Sequence, residues 1–142
     1  MTIGFTRTSA ERFFGRLVDA GVRRVIDVRL KPRSQLAGFA KSGDLEFFLR
    51  VAGDIDYVHE PLLAPTPDIL DAYRKKRIDW PSYEREFIRL MKHREIEARL
   101  DPTLYDGGCL LCSEAEPQHC HRRLVAEYLG REWAGPMQIH HL

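Results

Sequence analysis

The sequence predicts an α/β domain: a single three-layer unit spanning residues 1–142, with a mainly parallel sheet of about five strands and helices on both faces. Two observations lead there. Short apolar, β-branched runs alternate along the chain with longer segments whose apolar residues recur at helical spacing. Capping and stop signals separate most of these segments, so their order can be read directly.

"TIGF" (residues 2–5) reads as the first strand. In "TSAE", Thr8 is the expected N-cap, with Glu11 three residues on completing a capping box. Phe13, Phe14, Leu17 and Val18 form one stripe of the helix that follows, and Gly21 closes it. "RRVIDVRL" supplies the second strand, Arg24 to Val28, compact and β-branched as buried parallel strands are. "KPRSQLAGF" is a loop and "DLEFFLRVAG" a helix ending at Gly53. "IDYVHEP" is the third strand, stopped by Pro61. Thr66 and Pro67 open a helix as N-cap and first helical residue. "WPSYEREFIRLMKHREIEARL" is a long amphipathic helical region with a break near Arg94. "GGCLLCS" is the fourth strand, "CHRRLVAEYLG" a helix stopping at Gly130, and "MQIHHL" a fifth, short strand.

Composition narrows the function classes. At 44% hydrophobic and 30% charged residues, the chain has the make-up of a soluble globular protein. A net charge of +1 gives no global field for nucleic acid or an anionic membrane, although it leaves room for a local basic pocket. No apolar run is long enough to span a bilayer, and the N-terminus has no basic and apolar regions of a signal peptide. Three cysteines in such a chain are expected as free thiols in a reducing cytoplasm.

In sheets of this class ligands bind beyond the carboxyl ends of the strands. That rule gathers residues far apart in sequence: Phe5, Thr6, Arg7 and Thr8 after the first strand, and Asp27, Arg29, Lys31, Arg33 and Ser34 after the second. His59 and Glu60 follow the third. Cys112, Ser113 and Glu114 follow the fourth, with Cys120, His121 and Arg122 at the start of the next helix. Thiols, a carboxylate, an imidazole and guanidiniums on one rim make a reaction or binding site. Other polar residues have plainer readings. Arg23, Arg24, Lys31 and Arg33 are surface charges, Tyr57 and Tyr83 packing residues, and His140 and His141 part of a fraying end.

The segment "CLLCSEAEPQHCHRRLVAEYLG" holds every cysteine of the chain. A Cys-x-x-Cys zinc site is disfavoured, because side chains three apart on a strand point to opposite faces, so Cys109 and Cys112 cannot share an ion. No metal and no other cofactor is expected. The spacing permits a Cys112–Cys120 redox pair. It also permits a nucleophile, since a thiol at a helix N-terminus beside Arg and His is biased toward thiolate. On that ground Cys120 is the expected reactive thiol, Cys112 intermediate, and Cys109 buried and inert. Glu114 is a candidate general acid or base. The cysteine-to-arginine spacing of a tyrosine phosphatase loop is absent.

The blocks "TIGFT", "GVRRVIDVRLKPRS", "DIDYVHEP" and "LLCSEAEPQHCHRRLVAEYL", in this order from Thr2 to His140, resemble the domain-of-unknown-function 488 family. The resemblance implies a compact α/β domain with a site drawn from Asp27, Arg29, Ser34, Cys112, Glu114, Cys120, His121 and Arg122. Two departures stand out. Many members carry His or Tyr where Phe5 stands, and many follow the third strand with Leu-Gly-Gly where this chain has Leu62-Leu63-Ala64.

The expected activity is that of an enzyme, or a ligand-binding relative of one, acting on an anionic or nucleotide-like group. Cys112, Glu114, Cys120, His121 and Asp27 would carry the chemistry, and Arg29, Ser34, Arg122 and Thr6 would hold the ligand. Two alternatives stand beside it. One is a nucleic-acid-binding module using Arg7, Arg23, Arg24, Lys31 and Arg33 with Phe5 and Tyr57 as stacking surfaces. The other is a partner-binding domain with a vestigial pocket.

Overall fold

The computed structural model describes residues 1–32, 37–133 and 138–142. Four parallel strands, β1 (Thr2–Gly4), β2 (Arg24–Asp27), β3 (Asp56–His59) and β4 (Gly108–Cys112), form one sheet in the order β1-β4-β2-β3. The helices are α1 (Ala10–Asp19), α2 (Ser42–Gly53), α3 (Pro67–Arg74), α4 (Trp80–His93), α5 (Ile96–Arg99) and α6 (His121–Glu132).

Two apolar cores lie on opposite sides of the sheet. Ile3, Val25, Cys109 and Leu111 face α1 and α2, packing with Phe13, Leu17, Leu45 and Leu49. Ile26, Leu110 and Cys112 face the other way, against Phe87 and Met91 of α4 and Leu124 and Val125 of α6. The alternation along β4 places Cys109 and Cys112 in different cores, as the period of two requires. The layering follows from chain direction. From β1 to β2 to β3 the chain moves one way across the sheet, with α1 and α2 on one face. From β3 to β4 it returns, and right-handed crossovers then require the opposite face, where α3, α4 and α5 lie.

Local signals explain most boundaries. Gly21 adopts φ +64, with Val22 N–H donating to Leu17 O and Gly21 N–H to Val18 O, a Schellman stop for α1. Thr66 caps α3 ahead of Pro67. Asp79 caps α4, its carboxylate accepting from Ser82 N–H at 2.9 Å. The helical region breaks where expected: Arg94 ends α4, and Glu95, in the left-handed region at φ 51, starts α5.

Four expectations need correction. The N-cap of α1 is Ser9, not Thr8: the Ser9 hydroxyl accepts from Arg12 N–H at 3.2 Å, so Glu11 is not in capping-box register. α6 runs through Gly130 to Glu132, because one helical glycine costs only about 1 kcal/mol and Trp133 is anchored, its indole N–H donating to Glu97 O at 3.0 Å. The sheet has four strands rather than about five. Among the described residues, the C-terminal segment joins β1 by a single parallel bridge, Thr2 with His141. A three-residue β1 offers little edge on which to extend it. His141 is not idle either, since its Nδ1 shares a hydrogen bond of 2.8 Å with the Thr2 hydroxyl. No described helix is long and apolar enough to cross a membrane.

Candidate functional site

β2 and β4 are neighbours, but the connections leaving their carboxyl ends diverge. The chain leaves β2 toward β3 on the α2 face, and leaves β4 into α6 on the opposite face. This reversal opens a crevice at the strand ends, where ligands bind in such sheets. A cleft of about 560 Å³ lies there, lined among others by Arg29, Lys31, Cys112, Glu114, Cys120 and His121.

Its cationic wall starts at the end of β2. Asp27 is fully buried, and its carboxylate accepts from Arg29 N–H at 3.1 Å, Arg29 Nε at 2.8 Å and the Tyr57 hydroxyl at 2.8 Å. The Arg29 guanidinium, 3% exposed, sits 5.0 Å from the centroid of the Phe5 ring, which adds a cation–π contact. Burial opposes its charge, yet the hydrogen-bonded Asp27 carboxylate more than offsets this and raises its pKa. Burial, followed by the Asp27 carboxylate, pushes the Tyr57 phenol up. Among the described residues, one Arg29 nitrogen, Nη1, is buried without a hydrogen-bond partner. A charged donor left unpaired in an otherwise satisfied network, on a residue lining a cleft, is suited to an anionic acceptor.

The thiol wall comes from β4 and the start of α6. Cys112 Sγ lies 3.7 Å from His121 Nδ1 and 3.9 Å from Nε2. Since Nε2 is 2.8 Å from Val28 O, and a carbonyl only accepts, Nε2 carries the proton and Nδ1 is left as an acceptor. Ligating atoms of Cys112, Cys120 and His121 all lie within 4.8 Å of one another. The Cys120 thiol lowers the Cys112 pKa most, against burial. The backbone N–H groups of Ser113 and Glu114 and the charge of Arg122 help. Cys120 moves the other way: burial, then the neighbouring Cys112, raises its pKa well above the ordinary value. These directions run opposite to the order of thiolate character expected for Cys112 and Cys120. Cys120 is the N-cap of α6, but its sulfur is buried and turned toward Cys112, so the helix dipole does not decide its state. Cys109, in the opposite core, is pushed up to about 12 by burial, in keeping with an inert thiol.

Arg122 is placed differently from the role of anion ligand. It is buried, and its guanidinium donates to the carbonyls of Glu114 and Ala115 and to the Thr2 hydroxyl. It therefore fastens the loop after β4 rather than lining the cleft. Gly4 serves the same loop: a Cβ there would meet Glu114 O at 1.7 Å. Thr6 likewise reaches the loop through its backbone, its N–H donating to Ser113 O at 3.1 Å, and does not line the cleft. Glu114 is exposed at the cleft mouth. Ser34 and Arg33 lie outside the described residues. Asp27 sits behind the wall, acting on the cleft through Arg29.

Sequence reasoning missed the aromatic floor. Trp80 stacks on Tyr83 at 5.1 Å and 23°, Tyr83 lies parallel to Phe87 at 6.0 Å, and Phe87 meets the His121 ring edge-on at 5.5 Å. Tyr73, Arg74 and His119 complete that side. The available signal was Trp80-Pro81-x-Tyr83 at the start of α4, a helix that packs beside α6. Among the described residues of the nucleic-acid alternative, Phe5 is buried beneath Arg29, and Arg23 and Arg24 pair with Asp106 and Asp56 at the amino end of β2, away from Lys31. At the departure from Leu-Gly-Gly, Arg94 donates to the carbonyls of Leu62 and Ala64, both at 2.6 Å, and Pro65 continues into the cleft wall.

The family model described as Domain of unknown function DUF488 matches residues 9–129. No curated protein and no solved structure matches the chain.

Proposed function

This chain belongs to the DUF488 family, whose description names no chemistry, and from the geometry of the site we propose a thiol-dependent enzyme, or a ligand-binding relative of one, for an anionic, nucleotide-like group. The observation that carries the reading is the shared cleft of Cys112, a thiol biased toward thiolate, and Arg29, a buried guanidinium with one donor unpaired. Arg29 receives the anion, with Lys31 and Arg74 beside it. The partly exposed Trp80 ring, backed by the buried Tyr83, offers a surface for a flat group.

In the reaction this supports, Cys112 Sγ bonds to an electrophilic centre of the ligand, and the bond to the leaving group breaks with its electron pair going to that group. Glu114 gives the leaving group a proton. Water then displaces the sulfur, returning a proton to Glu114 and the electron pair to Sγ. Residues 1–142 act as one domain in this reading, in the cytoplasm and without a membrane partner.

The test uses an anionic and a neutral alkylating agent, iodoacetate and iodoacetamide, on chelator-treated, reduced protein, with site-by-site mass spectrometry. Cys112 should react first. Its preference for iodoacetate over iodoacetamide should exceed that of a small free thiol by about tenfold, the equivalent of one favourable charge contact of about 1.4 kcal/mol. Adenosine monophosphate should slow the reaction, and Lys31→Ala should reduce the charge preference. A Cys112 that reacts no faster than Cys109, or that shows no preference for the anion, overturns the proposal.

A further inference from the structure

We propose that Cys112, Cys120 and His121 form a binding site for a thiophilic cation of the zinc type, with three protein ligands and a fourth position opening on the cleft. The three residues come from the end of β4 and the first turn of α6, and all are nearly buried. Their candidate ligand atoms lie within 4.8 Å of one another. Zinc–sulfur and zinc–nitrogen bonds of about 2.3 and 2.05 Å at a tetrahedral angle set the ligands about 3.6 Å (S to N) and about 3.8 Å (S to S) apart. Cys112 Sγ is 3.7 Å from His121 Nδ1 and 3.9 Å from Nε2, so the atoms are close enough to share an ion once the Cys112 side chain rotates to bring its sulfur in front of the Nδ1 lone pair.

The surroundings suit a metal as well. His121 Nε2 donates to Val28 O at 2.8 Å, which fixes the tautomer that leaves Nδ1 as a ligand, as a backbone carbonyl does for metal-bound histidines. Arg122 ties down the loop that follows Cys112, donating to the carbonyls of Glu114 and Ala115. A cation between the sulfurs would be held by both as thiolates. With two thiolates its charge is neutralised, which a buried site requires. The trio lines the cleft, so the remaining position is left to water or to a ligand atom.

Cys109, whose facing excludes a Cys-x-x-Cys site, has no part in this one. The cores are apolar and do not depend on the ion, so the cation is an accessory of the cleft and not a condition of folding. The site shares Cys112 with the nucleophile reading without resting on it, since metal binding is read by spectra and alkylation is read after chelation.

The experiment titrates metal-free, reduced protein with Co²⁺ alone, then with Zn²⁺ in competition. One Co²⁺ should bind per chain, giving a near-ultraviolet sulfur-to-cobalt charge-transfer band sized for two thiolates and visible bands of tetrahedral coordination. Zn²⁺ should abolish both. Cys109→Ser should keep the full signal. Cys120→Ser should halve the charge-transfer intensity and weaken binding at least 100-fold, with its circular dichroism unchanged. The proposal is overturned if wild-type protein gives no charge-transfer band, if the visible bands are octahedral, or if Cys120→Ser binds as wild type does. Wild-type protein alone can refute it, so a variant that misfolds does not protect it.

Discussion

Asp27 and Arg29 lie two residues apart in extended chain, where alternate side chains share a face, and this brings a carboxylate and a guanidinium together before any tertiary contact forms. What tertiary structure adds is burial, the Tyr57 hydroxyl from β3 and the Phe5 ring from the segment after β1. A buried pair of this kind contributes little net stability while intact, but removing one partner strands the other. Asp27→Ala should therefore lower the unfolding free energy by about 3–5 kcal/mol, read from urea denaturation, whereas Tyr57→Phe should cost about 1.5–3 kcal/mol, one hydrogen bond to a charged group. An Asp27→Ala effect below the Tyr57→Phe effect would mean that the ion pair is hydrated rather than buried.

Two glycines give opposite expectations for their elements. Gly15 is inside α1, and a Cβ there meets nothing within 4 Å. Gly15→Ala should therefore raise stability by about 1 kcal/mol, the difference in helix propensity, seen as a higher denaturation midpoint at unchanged slope. Gly4 ends β1, and a Cβ there would be driven against the backbone of Glu114. Gly4→Ala should destabilise by about 1–3 kcal/mol or more, as overpacking does. It should also shift the amide resonances of Ser113 to Ala115, which a cost confined to β1 would leave in place. The first glycine is legible from sequence as a weak helix residue. The second is not, because its partner is 110 residues away along the chain and is met only once β1 and β4 pair.

Across the whole molecule, protection from exchange should follow the strand order. β4 and β2 are central, covered on both faces by apolar cores, while β3 is an edge strand with alternating exposure. Amide hydrogen exchange should be slowest in Val25 to Asp27 and Cys109 to Leu111, near the global unfolding limit, and faster in Asp56 to His59. The C-terminal bridge at His141 should open first, being a single bridge on a three-residue strand. Uniform exchange across the four strands would contradict this order. Chelation should leave the pattern in the two cores unchanged, because Cys112 and Cys120 pack in the core under α4 and α6 through their own side chains, with or without the cation.

Legible in the amino-acid order alone were the alternation of strands and helices, the opposed faces of Cys109 and Cys112, the caps at Thr66 and Pro67, the break near Arg94 and the strand-end rim that carries most of the candidate residues. These follow from periodicity and from backbone preferences local to a few residues. Three-dimensional packing was needed to show that Cys120 turns its sulfur to Cys112 and His121, that Arg122 clamps a loop while Arg29 Nη1 has no partner among the described residues, that aromatic rings of α4 floor the cleft, and that the fifth strand is a single bridge among the described residues. Each of these depends on which groups come within a few ångströms after the sheet assembles, and on whether burial leaves a polar atom satisfied. Spacing along the chain carries no information on either.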